Sequence, residues 1–93
     1  MALLRSSFEG DVVDYYDFFY LPEDKIDKEC SYIIDLLRSK GCNFGTLIDV
    51  GCGTGAYGAA MLQFFERVVG VDISSDMIEY ATRNHKEYNL FFI

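Results

Sequence analysis

Three glycines at alternate positions and an aspartate further along the chain are the residues best suited to bind a ligand. Gly51, Gly53 and Gly55 follow a short apolar segment directly, and Asp72 ends the next apolar segment. Glycines let the backbone turn sharply and let a ligand approach it without meeting a Cβ. A carboxylate at the end of the second segment can accept hydrogen bonds from both hydroxyls of a ribose. Gly51 and Asp72 are 21 residues apart, close to the separation of about 20 that is typical of a nucleoside-binding crossover.

Asp49, two residues before the first glycine, discriminates between anionic and cationic ligands. Amide groups at the head of the helix that should follow the loop have no partners within that helix, and we expect them to face the ligand. Such amides alone would suit a pyrophosphate. The carboxylate of Asp49 repels an anion and attracts a cation, so the sequence favours a cationic nucleoside.

The elements that position these residues follow from the spacing of apolar side chains. Apolar residues at helical spacing predict a helix over Glu23–Ser39, and these residues are Ile26, Cys30, Ile33, Ile34 and Leu37. Short branched segments predict strands over Thr46–Val50 and residues 67–72, and a third strand over 88–93. Between them we expect helices over residues 56–65 and 76–85, the second capped by Ser74 or Ser75.

The order strand, helix, strand, helix, strand predicts an α/β fold. It corresponds to the first half of a doubly wound, mostly parallel Rossmann-like sheet, preceded by an N-terminal aromatic and helical cap. The right-handed crossover rule puts the third strand beside the second, on the side away from the first. We expect one partial domain over residues 1–93, with a cap segment at 1–21 and the front half of a cofactor-binding domain at 22–93. Alone, this part is expected to be catalytically inactive.

Composition excludes several classes of partner. The net charge of −7 argues against binding to nucleic acid or to an anionic membrane surface. Three cysteines without paired spacing indicate reduced thiols and a cytoplasmic location. With one histidine, a Cys/His metal site is not expected.

Residues 47–55 read Leu-Ile-Asp-Val-Gly-Cys-Gly-Thr-Gly and resemble the first motif of class I S-adenosylmethionine-dependent methyltransferases. Residues 69–74, Val-Gly-Val-Asp-Ile-Ser, resemble the motif that follows it. The resemblance implies S-adenosyl-L-methionine as cofactor, with Asp49 near its methionine amino group. It also implies backbone access at Gly51 and Gly53, ribose binding by Asp72, and packing of Ile73 on the adenine.

A second resemblance concerns residues 16–20, Tyr-Asp-Phe-Phe-Tyr. They are similar to the entry region of methyltransferases that act on amino groups of nucleotide-linked deoxysugars. This similarity implies that Tyr16 contacts the cofactor and that a small molecule, a nucleotide-linked amino sugar, accepts the methyl group. The sequence departs from that subfamily at residues 21–24, where a glycine-basic stretch is replaced by Leu-Pro-Glu-Asp, and at Ile26, where an aromatic residue is expected. No residue is nominated as a catalytic base, since the acceptor site of such enzymes lies beyond the third strand.

Two other functions remain open. Gly53, Gly55 and Gly58 also match the G-x-G-x-x-G fingerprint of an NAD(P)-binding oxidoreductase domain, although Asp49 disfavours it. A non-catalytic nucleoside-binding module is the third possibility.

The sequence also leads to expectations for individual side chains. We expect His85 to be solvated near a helix end, Cys52 to be a small buried loop residue, and Cys30 to be core. Because Asp72 would face a cleft, its replacement by Ala should weaken ligand binding and leave folding almost unchanged, and Asn should weaken binding less than Ala.

Overall fold

The computed structural model describes residues 23–93, so the predicted cap at 1–21 and Tyr16 lie outside the described part. Residues 23–93 form three helices and three strands, which alternate along the chain. In chain order they are α1 (Glu23–Ser39), β1 (Thr46–Val50), α2 (Ala56–Met61), β2 (Arg67–Val71), α3 (Ser75–Asn84) and β3 (Leu90–Phe92).

The sheet is parallel and has the order β1-β2-β3. Val50 of β1 is paired with Val71 of β2, and Val69 of β2 is paired with Phe91 of β3. The predicted α/β class and the central position of the second strand are both confirmed. Because all three strands are parallel, their carboxyl ends meet at one edge, where parallel α/β sheets bind ligands.

Two helices differ from their predicted limits for local reasons. α2 ends at Met61 instead of residue 65, because the amides of Phe64 and Phe65 both donate to the Met61 carbonyl and close a turn. α3 begins at Ser75, and its N-cap is Ser74, whose side chain accepts a hydrogen bond from the Met77 amide at 3.2 Å. This bond satisfies one of the amides that a helix start leaves without a partner.

β3 is shorter than the predicted 88–93. The Leu90 amide donates to the Glu87 carbonyl, so the chain is still turning before the strand begins. Beyond the strand, the Ile93 amide donates to the Gly70 carbonyl at 2.9 Å, and the Asp72 amide donates to the Ile93 carbonyl at 3.2 Å. The ladder therefore continues to the point where Asp72 leaves β2.

The core lies between the helices and one face of the sheet. α1 contributes the buried side chains of Ile26, Cys30 and Ile34, which follow one another at intervals of one helical turn. Four residues from later in the chain complete the buried cluster, namely Met61, Phe65, Val68 and Leu90.

The opposite face of the sheet is apolar and exposed in residues 23–93. Ile48, Val50, Phe91 and Ile93 all count among the exposed large hydrophobic side chains. Within the described residues, this face of the sheet is therefore only thinly covered. Within this part of the chain, no helix combines the length and the apolar character needed to cross a lipid bilayer.

Gly70, in the middle strand, has both the glycine loop and β3 packed closely against it. A Cβ added at Gly70 would lie 2.7 Å from Cδ1 of Phe92 and 2.9 Å from Cβ and Sγ of Cys52. Real Cβ atoms essentially never come this close to other heavy atoms. The missing side chain therefore lets Cys52 of the loop and Phe92 of β3 both rest on the β2 backbone.

We predict that Gly70→Ala lowers the free energy of unfolding by about 1–3 kcal/mol, because an inserted methyl group overpacks a closed contact. Chemical denaturation measures this change. Gly45→Ala is the matched control, since its added Cβ would meet the side chain of exposed Asn43 at 3.2 Å, and that side chain can move. Equal stabilities of Gly70→Ala and the parent protein would contradict the packing described here.

Candidate functional site

The candidate site is built on the glycine loop, residues 51–55, which joins the end of β1 to the start of α2. Gly51, Gly53 and Gly55 have φ values of 74°, 57° and 85°. Side chains are strained in this left-handed region, so the chain turns out of β1 at little cost only with glycine.

The glycines of the loop have different surroundings. A Cβ at Gly55 would lie 2.7 Å from Cζ of Phe92 and 3.1 Å from Cδ2 of His85, so this position is closed by protein. At Gly53 no heavy atom lies within 4 Å of the Cβ position. Gly53 therefore presents open backbone to a ligand, whereas Gly55 is required for packing.

The amides of the loop are largely used within the chain. Those of Gly51 and Cys52 donate to the Val71 carbonyl at 2.6 and 3.0 Å, and that of Gly55 donates to the Cys52 carbonyl at 3.1 Å. The amide of Gly53 donates to Oδ2 of Asp72 at 2.9 Å. These four loop amides are therefore not available to a ligand, whereas the expectation for the amides at the head of α2 stays a prediction.

Asp72 leaves the end of β2 and is half-buried. Its two carboxylate oxygens accept from different segments, Oδ2 from the Gly53 amide and Oδ1 from the Ser74 amide at 2.8 Å. An ionised carboxylate offers about four acceptor positions, so about two remain for a ligand. The structure brings Asp72 to the loop, as the spacing of the two motifs predicted.

Asp49, near the end of β1, is only 4% exposed. Its Oδ2 lies 3.8 Å from the position a Cβ would take at Gly58 of α2. Burial removes water from this carboxyl and, with a smaller effect of the negative charge of Asp72, raises its pKa to about 6. A nearby cation would favour the ionised form of this group.

Ile73 follows Asp72 and is 86% exposed. An isoleucine so open to solvent beside a carboxylate offers an apolar surface at the same edge of the sheet. Tyr16, the remaining predicted site residue, lies outside the described residues.

The cysteines behave as predicted. Cys52 and Cys30 are both buried. Burial, together with the charges of Asp49 and Asp72, raises the pKa of the Cys52 thiol to about 12, so this thiol stays protonated and is a poor nucleophile. Residues 23–93 hold no group of three or more His, Cys, Asp or Glu side chains placed for a metal ion.

His85 lies at a helix end, as expected, but its side chain is half-buried and not fully solvated. α3 ends at Asn84, and His85 takes an extended conformation with φ −128° and ψ 110°. Its ring turns inward to Phe92, with ring centroids 6.1 Å apart, and Nε2 is buried without a hydrogen-bond partner among the described residues. One edge of the ring is therefore turned into the protein, while the residue as a whole stays partly exposed.

Two contacts near the loop had no signal in the sequence. Phe92 closes the space beside Gly55 and Gly70, although the pattern identified it only as part of an apolar strand. Tyr57, at the start of α2, donates from its hydroxyl to Glu29 of α1 at 2.7 Å. Both depend on how distant elements pack, which local periodicity does not report.

Known proteins resemble this chain in sequence and in structure. A dTDP-3-amino-3,4,6-trideoxy-alpha-D-glucopyranose N,N-dimethyltransferase from Streptomyces venezuelae is 38% identical over 77 residues, which cover 82% of this chain and 32% of that protein. The crystal structure of DesVI from Streptomyces venezuelae aligns with a TM-score of 0.75 and 33% identity, over 92% of this chain and 37% of that one.

The structure of an amino pentose methyltransferase from Micromonospora echinaspora, solved with bound S-adenosylmethionine, aligns with a TM-score of 0.63 and 26% identity. It covers 73% of this chain and 29% of that one. This chain therefore spans about a third of the length of the relatives it matches. Residues 47–93, half of the chain, match the family described as a methyltransferase domain. The chain, with its glycine loop and the acidic end of its second strand, belongs to the methyltransferase domain family.

Proposed function

We propose that this chain binds S-adenosylmethionine and forms the front, cofactor-binding part of a methyltransferase domain. The observation that carries the proposal is the pair of carboxylates, Asp49 and Asp72, near the carboxyl ends of two adjacent strands. They flank a glycine loop whose amides at residues 51, 52, 53 and 55 already donate within the chain. Such a site suits a ligand that carries positive charge and a ribose.

The charge of the cofactor complements Asp49. S-adenosylmethionine carries a sulfonium and an ammonium group, and a cation near the loop offsets the cost of ionising a buried carboxyl whose pKa is about 6. Because Asp49 is only 4% exposed, its carboxylate attracts the cation mainly by electrostatics at a distance and not by direct contact. We propose that it faces the side of the loop that receives the methionine amino group.

The other predicted site residues each have a proposed role in binding the cofactor. Asp72 would accept from the ribose hydroxyls with its unused acceptor positions, and Ile73 would pack on the adenine. Gly53 would give the cofactor close access to the backbone, supported by the open space at its Cβ position, and Gly51 would do the same. Tyr16 keeps its proposed contact with the cofactor on the resemblance alone.

We propose an amino group of a nucleotide-linked deoxysugar as the methyl acceptor. The support is the Streptomyces venezuelae relative, which is named for such a substrate and is 38% identical over 77 residues. When bound, S-adenosylmethionine supplies a methyl group on a good leaving group. The main task of the protein is then to align methyl and nucleophile, and ideal alignment contributes about 7–11 kcal/mol.

The acceptor-binding residues are proposed to lie outside residues 23–93, since the relatives are about three times as long as the stretch they share with this chain. Residues 1–93 alone are accordingly proposed to be inactive in methyl transfer. The free thiols of Cys30, Cys42 and Cys52 support a reducing, cytoplasmic location.

NAD(P) binding is the second candidate, and one observation favours it. A Cβ at Gly58 would lie 3.3 Å from Cγ1 of Val68, so Gly58 allows the close packing of helix and strand that the third fingerprint glycine provides. Against it stand the charge of Asp49 and the loop amides that are already paired. A pyrophosphate would meet a carboxylate there and would find the amides of residues 51, 52, 53 and 55 already engaged.

We predict that the intact protein binds S-adenosylhomocysteine at least about tenfold more tightly than NAD, because an ammonium group suits Asp49 and a pyrophosphate does not. Isothermal titration calorimetry with both ligands measures the difference. Production of S-adenosylhomocysteine from S-adenosylmethionine in the presence of an amino sugar nucleotide would distinguish an enzyme from a binding module. Tight binding of NAD with no heat from S-adenosylhomocysteine would overturn the proposal.

We also predict that the affinity for S-adenosylhomocysteine rises with pH through about 6. The ligand-free Asp49 carboxyl is protonated below that pH, and bound cation lowers its pKa, so binding releases a proton. Each pH unit below 6 should therefore weaken binding by up to about tenfold, down to the pKa of the bound state. Calorimetry between pH 5 and 8 measures the slope.

The matched variants are Asp49→Asn, which cannot ionise, and Asp35→Asn, which removes one exposed charge of α1. The first should flatten the slope and the second should keep it. An unchanged slope in Asp49→Asn would remove Asp49 from the cofactor site.

A further inference from the structure

Asp72 joins two segments of the chain that are distant in sequence, and it does so without a ligand. Its Oδ2 accepts from the Gly53 amide at 2.9 Å, and Gly53 lies 19 residues earlier. Its Oδ1 accepts from the Ser74 amide at 2.8 Å, two residues later. One carboxylate therefore holds the glycine loop and the turn that enters α3.

The connection continues into the helix. Ser74, whose amide is held by Asp72, is also the N-cap of α3, because its side chain accepts from the Met77 amide. A hydrogen-bonded path thus leads from Gly53 through Asp72 and Ser74 to the first turn of α3. Charge-assisted bonds of a carboxylate to amides are stronger than neutral ones, so this path fixes the plane of the carboxylate.

Gly53 depends on this bond more than its neighbours do. The amides of Gly51 and Cys52 are held by the Val71 carbonyl, which belongs to the backbone of β2 and survives any side-chain substitution. The amide of Gly53 is held by a side chain, and no heavy atom lies within 4 Å of its Cβ position. The hydrogen bond at this open point of the loop is therefore one that a single substitution removes.

We propose that Asp72 is a positioning residue for the glycine loop, in addition to its proposed contact with ribose. It holds the Gly53 backbone in its ligand-accessible conformation before the cofactor arrives. The consequence for the cofactor rests on the proposed function, whereas the consequence for the ligand-free loop does not.

The Asp72→Asn variant distinguishes a residue that positions the loop from one that only contacts the ligand. An Asn side chain at position 72 has one oxygen, so its NH₂ group would face either the Gly53 or the Ser74 amide, donor against donor. The sequence alone predicted that Asn would be milder than Ala and that folding would be almost unchanged. With both oxygens engaged, Asn should be no milder than Ala, and the ligand-free protein should lose stability.

The experiment uses the intact protein as parent, Asp72→Asn, Asp72→Ala and the control Asp35→Asn, an exposed carboxylate whose pairing with Arg38 spans 3.8 Å. Three quantities are measured: the ligand-free Tm, the ligand-free exchange rate of the Gly53 amide, and the affinity for S-adenosylhomocysteine well below every Tm.

Both Asp72 variants should lower Tm by at least about 2 °C. Exchange at Gly53 should accelerate at least about tenfold, and by more than at Cys30 and Ile34 of α1. Affinity should fall at least about tenfold, with Asn no better than Ala.

An unchanged Tm and an unchanged exchange rate, with weaker binding, would overturn the positioning role and leave the proposed cofactor contact intact. Absence of binding by the parent protein, with Tm and exchange changed as expected, would overturn the proposed function and leave the positioning of the loop intact. If both Asp72 variants fail to fold, the parent alone decides. A Gly53 amide that is protected from exchange without ligand supports the proposal, and one that exchanges as fast as a free amide contradicts it.

Discussion

The Val71 carbonyl accepts from the amides of both Gly51 and Cys52, at 2.6 and 3.0 Å, and the site depends on this anchor. It extends the pairing of β1 with β2 by two residues past Val50 and stops the loop from sliding along β2. Only with the loop in this register does the Gly53 amide meet Asp72. The same register lets Cys52 rest on Gly70. The glycines allow the turn, but the neighbouring strand determines where the turn lies.

Electrostatics explains why such a loop suits a cation. Buried donors are rarely left without partners, and in this loop residues 51, 52, 53 and 55 have theirs inside the chain. What the loop leaves unbalanced is negative charge: a buried carboxyl at Asp49, which is costly to ionise, and a half-buried one at Asp72 with spare acceptor positions. A ligand with an ammonium group and a ribose diol would match both, and the relationship to methyltransferases agrees with that match.

Much of this arrangement could be predicted from sequence, because it depends on local pattern. The change from helical to strand periodicity located α1 and β1 at their observed limits, and the glycine spacing identified the loop and Asp72 as one site. The misses involve contacts between distant elements. α2 ends early because a turn forms at Met61, and His85 turns inward to meet Phe92. The bond from Gly53 to Asp72 joins residues 19 apart, and nothing in their local sequence shows which atoms meet.

We expect the carboxyl ends of β1 and β2 to receive a cationic nucleoside cofactor. A crystal structure of the intact protein with S-adenosylhomocysteine would show whether they do. We predict ribose hydroxyl oxygens about 2.5–3.0 Å from the Asp72 carboxylate, adenine against Ile73, and the amino group on the side of the loop nearer Asp49. The Gly53 amide should still donate to Asp72 in the complex. A ligand bound elsewhere, or at the loop without contact to Asp72, would contradict the account.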